Sequence, residues 1–397
     1  MPRLSDRTSA MQESPIRKLV PLADAAKERG VHVYHLNIGQ PDIETPKEML
    51  AAVKNLPKKV IHYCHSQGDS SYLASLVEYY RSHRIYVDQT QINVTTGGSE
   101  AIVFAFMIAL NPGDEVIIPE PFYTNYNGFA LMAGVKIKAL TTKVEDGFHL
   151  PPKDRIEDLI GPKTKAILLC NPNNPTGTVY KPEEMQGVAE LCRKHDLWMM
   201  TDEVYREFVY DCGEYISALN LENMEDRVIV MDSISKRYSA CGARVGCLVS
   251  KNRDVMDSCL KLGQARLCSP LVEQIMATAA RDLPKKKKKK TVAEYKRRRD
   301  VVFDGLSEIP NVLAIKPCGA FYNIVRLPVD DAEKFTKWLL TDFEEDGQTI
   351  MLAPAAGFYA TPGLGKREVR IAYVLCVEDL RRSMLMLKKA IEKYNSR

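Results

Sequence analysis

Four short stretches of this 397-residue chain place reactive or charged side chains directly after apolar runs. Thr201-Asp202-Glu203-Val204-Tyr205 puts a carboxylate at the end of the run starting at Leu197. An acid there is costly to bury without a cationic partner, and a protonated ring nitrogen is one such partner. Ser233-Ile234-Ser235-Lys236 follows Val228 to Met231, with Arg244 eight residues beyond the lysine. A lysine so placed can form a Schiff base, and an arginine can bind a phosphate in forked geometry. Asn171-Pro172-Asn173-Asn174-Pro175-Thr176-Gly177 is too polar and too rigid for a plain connector. An Asn amide held in such a shaped loop can donate to a ligand oxygen, although Asn, Pro and Gly also make ordinary turns. Gly97-Gly98-Ser99 opens an apolar helix, where free backbone N–H groups and a hydroxyl stabilise an anion. Taken alone, Gly98 and Ser99 read first as a glycine turn with a serine cap, because such caps begin many helices.

The elements that must position these groups alternate. Gln91 to Thr95, Glu115 to Ile118, Val135 to Ala139, Ala166 to Cys170, Leu197 to Thr201, Val228 to Met231 and Val245 to Val249 are apolar bursts of strand length. Helix-length segments such as Ser99 to Leu110, Phe122 to Ala133 and Pro182 to His195 lie between them. The pattern is α/β with a mainly parallel sheet, and function in such sheets gathers past the carboxyl ends of the strands.

After about residue 290 the character changes. Thr291 to Leu306 reads as a long helix, Leu313 to Lys316 and Ala320 to Val325 as strands, and Ala332 to Thr341 as a helix. An apolar run Thr349 to Ala353, a strand Val369 to Val374 and a closing helix Val377 to Tyr394 follow. The chain therefore divides into a large unit, 46–290, and a smaller α+β unit, 291–397, onto which the core-poor segment 1–45 packs.

Composition excludes several classes. With 45% hydrophobic and 27% charged residues the chain is an ordinary globular one. The longest apolar stretch, Ala101 to Leu110, is about half of what a membrane span needs. Met1 to Val20 carries charges throughout and no signal-like run, so a cytoplasmic location is expected. The net charge of +4 owes everything to Lys285 to Lys290; without those six lysines it is −2. That run lacks interleaved aromatics, so it reads as a solvated loop or helix end, dispensable for catalysis, and no nucleic acid or membrane partner is expected. The ten cysteines contain no C-x-x-C pair, which argues against a zinc site and a disulfide framework. His62 and His65 flank Tyr63 at a spacing that a metal tolerates, but no metal is expected.

Taken in order, these motifs resemble the class I and II aminotransferases of the aspartate aminotransferase fold, enzymes of fold type I that use pyridoxal 5′-phosphate. The resemblance covers nearly the whole chain, from Ile38-Gly39-Gln40-Pro41-Asp42 to Val369-Arg370-Ile371-Ala372-Tyr373. It implies a seven-stranded, mainly parallel sheet flanked by helices plus a smaller α+β domain. It implies that Lys236 anchors the cofactor and acts as base, that Asp202 pairs with the ring nitrogen, and that Asn174 and Tyr205 bond the ring's 3′ oxygen. The phosphate would sit against Gly98, Ser99, Ser233 and Arg244, with Tyr123 stacked on the ring. Arg370 would grip the substrate α-carboxylate, with Gly39 leaving space beside it and Asn174 at the same subsite. Tyr63, in Tyr-x-x-x-x-Gly, resembles the tyrosine that reaches the neighbouring subunit's phosphate, which implies a homodimer.

The expected activity is ping-pong transfer of an amino group between an L-amino acid and a 2-oxo acid. The favoured pair is glutamate or aspartate with 2-oxoglutarate. Aromatic or neutral donors, or β C–S lysis on the same fold, are the alternatives. Arg266 is the sequence's candidate for a distal carboxylate, reached across the dimer.

Overall fold

The computed structural model describes residues 2–56, 58–211 and 214–397, with only the backbone of Lys285. The strands are β1 (His32–His35), β2 (Ile92–Thr95), β3 (Glu115–Glu120), β4 (Lys136–Thr141), β5 (Thr164–Cys170) and β6 (Trp198–Asp202). They continue as β7 (Val228–Ser233), β8 (Gly246–Val249), β9 (Tyr322–Arg326), β10 (Gln348–Met351), β11 (Ala353–Pro354) and β12 (Glu368–Ala372).

Seven of them form one sheet in the order β2-β8-β7-β6-β5-β3-β4. Only β8 runs antiparallel to its neighbours. Side chains alternate across it: Ile167 and Leu169 enter the core on one face, Ala166 and Leu168 that on the other. Both faces of the central strands are dry, which is why those strands are continuous apolar runs in the sequence. On one face lies the helix Gly97–Ala109, with buried Ala101, Ile102, Phe104, Ala105 and Phe106.

The register brings the chemistry to one edge. Cys170 pairs with Asp202, and Asp202 with Met231, so β5, β6 and β7 end side by side. Their following loops carry Asn174, Tyr205 and Lys236 to a common rim.

The C-terminal part holds a three-stranded antiparallel sheet, β11-β12-β9, and a parallel pair of β1 with β10. The N-terminal segment thus pairs with a strand more than 300 residues away, Val33 opposite Thr349. Three expectations change here. Leu313 to Lys316 forms no strand, only a bridge from Leu313 to Arg326. Thr349 to Ala353 divides between β10 and β11, because Leu352 leaves the first pairing before Ala353 joins β12.

The third concerns the lysine run, which forms the first turns of the helix Lys285–Ser307. That helix has no acidic residue in its first turn, so its N-terminal dipole repels the lysines. Glu48 accepts from Lys287 at 3.4 Å and Glu207 from Lys288 at 3.2 Å, and the Lys288 ammonium lies 4.7 Å from the Tyr79 ring centroid. Part of the run is therefore docked rather than merely solvated. Burial raises the Glu207 carboxyl, but His83 and Lys288 outweigh it and hold it well below the usual carboxylate range.

The cysteines bring a further correction. Cys318 is disulfide-bonded, whereas eight others are free thiols. Sequence spacing tests only local pairs, and a bridge depends on Cα separation in the fold. No described helix is long and apolar enough to cross a membrane.

Candidate active site

A cleft of about 470 Å³ opens where the strand ends meet β12 and the N-terminal segment. It is lined by Gly39, Gly98, Ser99, Tyr123, Asn174, Asp202, Tyr205, Ser233, Lys236, Arg244 and Arg370. Eleven residues chosen by sequence thus converge from positions spread over more than 300 residues.

Lys236 lies in the short turn of helix after β7, and its Nζ donates to Gly39 O at 2.8 Å. Asp202 ends β6 in full burial, where its Oδ2 accepts from Tyr126 Oη at 2.9 Å and its Oδ1 from Val204 N at 3.3 Å. Among the described residues no cation pairs with it. Burial therefore pushes its carboxyl up to about 6. A desolvated carboxylate lacking a counterion beside a lysine is a fit for a protonated ring nitrogen.

The phosphate end is equally open. The helix Gly97–Ala109 starts without a side-chain cap, leaving first-turn N–H groups free for an anion. Gly97 has φ +74, and a Cβ there would overlap the Arg244 guanidinium packed against it. Arg244 takes φ +52, donates to Cys241 O at 3.0 Å and pairs with no carboxylate among the described residues. Ser233 Oγ lies 2.9 Å from Val245 O and 2.7 Å from Ser235 Oγ, and Ser235 also faces the cleft.

The opposite wall carries Arg370, which is 2% exposed. Its Nη1 donates to Asn174 Oδ1 at 3.0 Å and its Nη2 to Asn37 O at 2.6 Å, while Nε has no partner. The Tyr322 and Phe358 ring centroids lie 4.5 and 4.9 Å from the guanidinium carbon. Burial without an acid lowers its pKa from the ordinary guanidinium value. An unpaired buried guanidinium with a spare donor suits a carboxylate ligand.

Two expected residues lie elsewhere. Tyr63 is 74% exposed and borders a separate hollow with Arg266. Arg266 does not reach the cleft: its Nε donates to Glu100 Oε2 at 3.1 Å and its Nη2 to Val94 O at 2.8 Å. Within its own chain these donors are engaged at the end of β2, and a role for Arg266 at a distal carboxylate across a dimer is a separate proposal.

Other side chains at the site had no assigned role in the sequence reading. Tyr126 follows Tyr123 by three residues, hence on the same side of a helical turn, and holds Asp202. Tyr322 faces Ala372 in the β9–β12 ladder, two positions from Arg370 and on its side of the sheet, and its hydroxyl meets Tyr205 Oη at 2.8 Å. Arg17, exposed, and Ile16 border the cleft from the N-terminal segment. Behind the cleft, buried Asp232 accepts from Arg206 at 3.1 Å, Arg237 at 2.9 Å and Tyr80 at 3.0 Å. Burial raises its carboxyl, but Arg237 and Arg206 outweigh it, leaving the group below its ordinary value. Asp232 and Arg237 flank Ser233 and Lys236, so this network braces the segment that carries the lysine.

Residues 31–386 match the family Aminotransferase class I and II. A putative aminotransferase of Bacillus subtilis is 32% identical over 98% of each chain. Aromatic-amino-acid aminotransferase 2 of Thermococcus litoralis is 30% identical, again over 98% of each chain. The crystal structure of aspartate aminotransferase from Thermotoga maritima superposes with a TM-score of 0.89 at 29% identity, covering 98% of this chain and all of that one. The fold is therefore fold type I, and the cofactor of the family, pyridoxal 5′-phosphate, matches the cation-seeking Asp202 and the open anion cradle at Gly98 and Arg244. The chain belongs to the class I and II aminotransferases and is a pyridoxal-phosphate-dependent transaminase.

Proposed function

We propose that this cleft exchanges an amino group between the glutamate/2-oxoglutarate pair and a second L-amino acid with its 2-oxo acid, aspartate being the expected second donor. The observation that carries the reading is the pair of unmet charges across one cleft: Asp202 without a cation and Arg370 without an anion.

When bound, pyridoxal phosphate supplies the electron sink that makes the substrate Cα acidic. Asp202 holds the ring nitrogen's proton, and Asn174 and Tyr205 donate to the 3′ oxygen. Gly98, Ser99, Ser233 and Arg244 hold the phosphate, and Tyr123 covers a ring face. Arg370 fixes the α-carboxylate, which sets the Cα–H bond within reach of Lys236. Lys236 Nζ would anchor the cofactor and, once freed, carry the proton from the substrate Cα to the cofactor's C4′. Gly39 must stay small, since a Cβ there would overlap the Tyr322 hydroxyl.

Arg17 is the cation available for a second carboxylate. It borders the cleft, is exposed, and has no side-chain hydrogen bond or ion pair among the described residues. Ile16 and Ile38 line the same mouth and favour the second reading, aromatic or neutral donors. We also propose a homodimer in which Tyr63 serves the partner's phosphate site, supported by its exposure outside the cleft of its own chain. The division into 46–290 and 1–45 with 291–397 is supported by the β1–β10 pairing, although the helix Lys285–Ser307 runs through position 290. A cytoplasmic location is supported by eight free thiols and opposed by the bridge at Cys318; thiol titration of freshly purified protein decides between them.

A donor and oxo-acid panel on purified protein tests the substrate. Turnover of glutamate with 2-oxo acids, weakened by Arg17→Ala while alanine turnover holds, supports it. Preference for phenylalanine or tyrosine, indifferent to Arg17, overturns it in favour of the second reading.

A further inference from the structure

We propose that Tyr322 is a positioning residue with two separate duties: its hydroxyl sets the direction of the Tyr205 proton, and its ring face supports the Arg370 guanidinium. The inference rests on the reading above, in which Tyr205 serves the cofactor ring and Arg370 the carboxylate.

The two hydroxyls lie 2.8 Å apart in full burial, so one of them must donate to the other. Tyr322 has one alternative acceptor, Gly39 O, at 3.5 Å. That contact is long, and the reading above commits the Tyr205 proton to the cleft, so Tyr322 is the donor to Tyr205 Oη. With its oxygen satisfied from that side, Tyr205 keeps its own proton for another acceptor, and the cleft is where that acceptor must come from. Burial keeps the Tyr205 phenol protonated far above ordinary pH. A chain of two hydroxyls polarises along its length, so the second donor strengthens the first.

The face of the same ring lies under the other functional group. Its centroid is 4.5 Å from the Arg370 guanidinium carbon, a cation–π distance, and no acid among the described residues pairs with that arginine. Phe321 and Tyr205 meet Tyr322 at 5.0 and 5.6 Å between centroids, which fixes the ring in place. One side chain thus touches the cofactor-facing tyrosine through oxygen and the carboxylate-facing arginine through carbon. Substitutions can part the two.

The test uses full-length protein loaded with pyridoxal phosphate. A donor on the 3′ oxygen draws negative charge away from the proton on the Lys236 nitrogen, so that proton leaves at lower pH. Tyr322→Phe deletes only the hydroxyl. It should raise the pH midpoint of the cofactor's visible absorbance by roughly half a unit, lower kcat a few-fold, and leave KM for glutamate within about twofold because the ring face remains. Tyr322→Leu should shift the midpoint equally and also raise KM by roughly 2- to 30-fold. In a Tyr205→Phe background, Tyr322→Phe should add nothing to the midpoint shift, because it acts through Tyr205. A midpoint unmoved by Tyr322→Phe, or a shift that adds fully to that of Tyr205→Phe, overturns the inference. Protein that takes up no cofactor overturns the underlying reading as well, so the two failures are told apart by absorbance alone.

Discussion

Tyr126 donates its hydroxyl to Asp202 Oδ2 across 2.9 Å, and that bond together with the Val204 N–H is all that offsets the burial of the carboxylate. The arrangement has a consequence for pH. The folded protein holds the Asp202 proton up to about pH 6, against 3.8 for the unfolded chain. The folded state therefore binds more protons than the unfolded state between those values, and stability falls as pH rises through that window. The effect is fully present below 3.8, is lost above about 6, and amounts to something on the order of 3 kcal/mol. Cofactor-free protein should lose this increment on going from pH 4 to 7, and Asp202→Asn should not. Differential scanning calorimetry of the two proteins across that range measures it; parallel Tm curves would show that Asp202 ionises freely. Loading with pyridoxal phosphate should remove the difference, since the ring nitrogen supplies the missing cation.

Lys236→Ala should still take up pyridoxal phosphate, because the cradle at Gly98, Ser99 and Arg244 is independent of the lysine. Turnover should fall by roughly 10²–10⁴-fold or more with loss of the base. Equilibrium dialysis of the cofactor alongside steady-state kinetics separates the two. Loss of cofactor affinity in proportion to turnover would place the binding energy at Lys236 instead.

Arg370→Lys removes the forked donor but keeps a charge. Truncating a buried charged contact costs about 2–5 kcal/mol, so kcat/KM should drop by roughly 30- to several-thousandfold. The loss should be the same for glutamate, aspartate and alanine, since all carry the α-carboxylate. A drop confined to dicarboxylates would mean that Arg370 meets the distal group.

Arg266→Ala should act on stability rather than on substrate choice. It leaves Glu100 without its ion pair and Val94 O without its donor, at a cost of about 1–3 kcal/mol. Urea unfolding checks the stability. A kcat/KM loss for aspartate at least tenfold beyond that for alanine would restore the distal-carboxylate role.

Lys288→Ala should destabilise by about 1–3 kcal/mol near neutral pH, because Glu207 loses its lysine partner and keeps His83 as its remaining close contact, with Arg237 acting from farther away. Lys289→Ala, at an exposed position, should change little. The Glu207 carboxyl is held below its ordinary value, so the stabilisation is present above the normal carboxylate range and fades only as pH falls through the depressed value. Equal effects of the two substitutions would return the whole run to solvent.

The sequence alone determined the seven strands of the large sheet and named eleven residues that line the cleft, because both are written locally. Strands buried on both faces are continuous apolar runs, and polar groups at their carboxyl ends stand out against that background; so Asp202, Lys236 and Asn174 were legible. Arg370 could be assigned only through the whole motif order, since one arginine in a strand says nothing of its partners. What tertiary structure decided was pairing between distant positions. Tyr322 meets Tyr205 only because β9 lies beside β12, and Tyr126 meets Asp202 only because a helix after β3 crosses the end of β6. The Glu100 partner of Arg266 was not legible because that acid stands 166 residues earlier. The bridge at Cys318 was not legible because spacing sees only near neighbours. Lys288 looked like one of six interchangeable charges until the fold set Glu207 and Tyr79 against it. Hydrophobic periodicity is a property of one segment, whereas a hydrogen bond or ion pair belongs to two, and only packing determines which two meet.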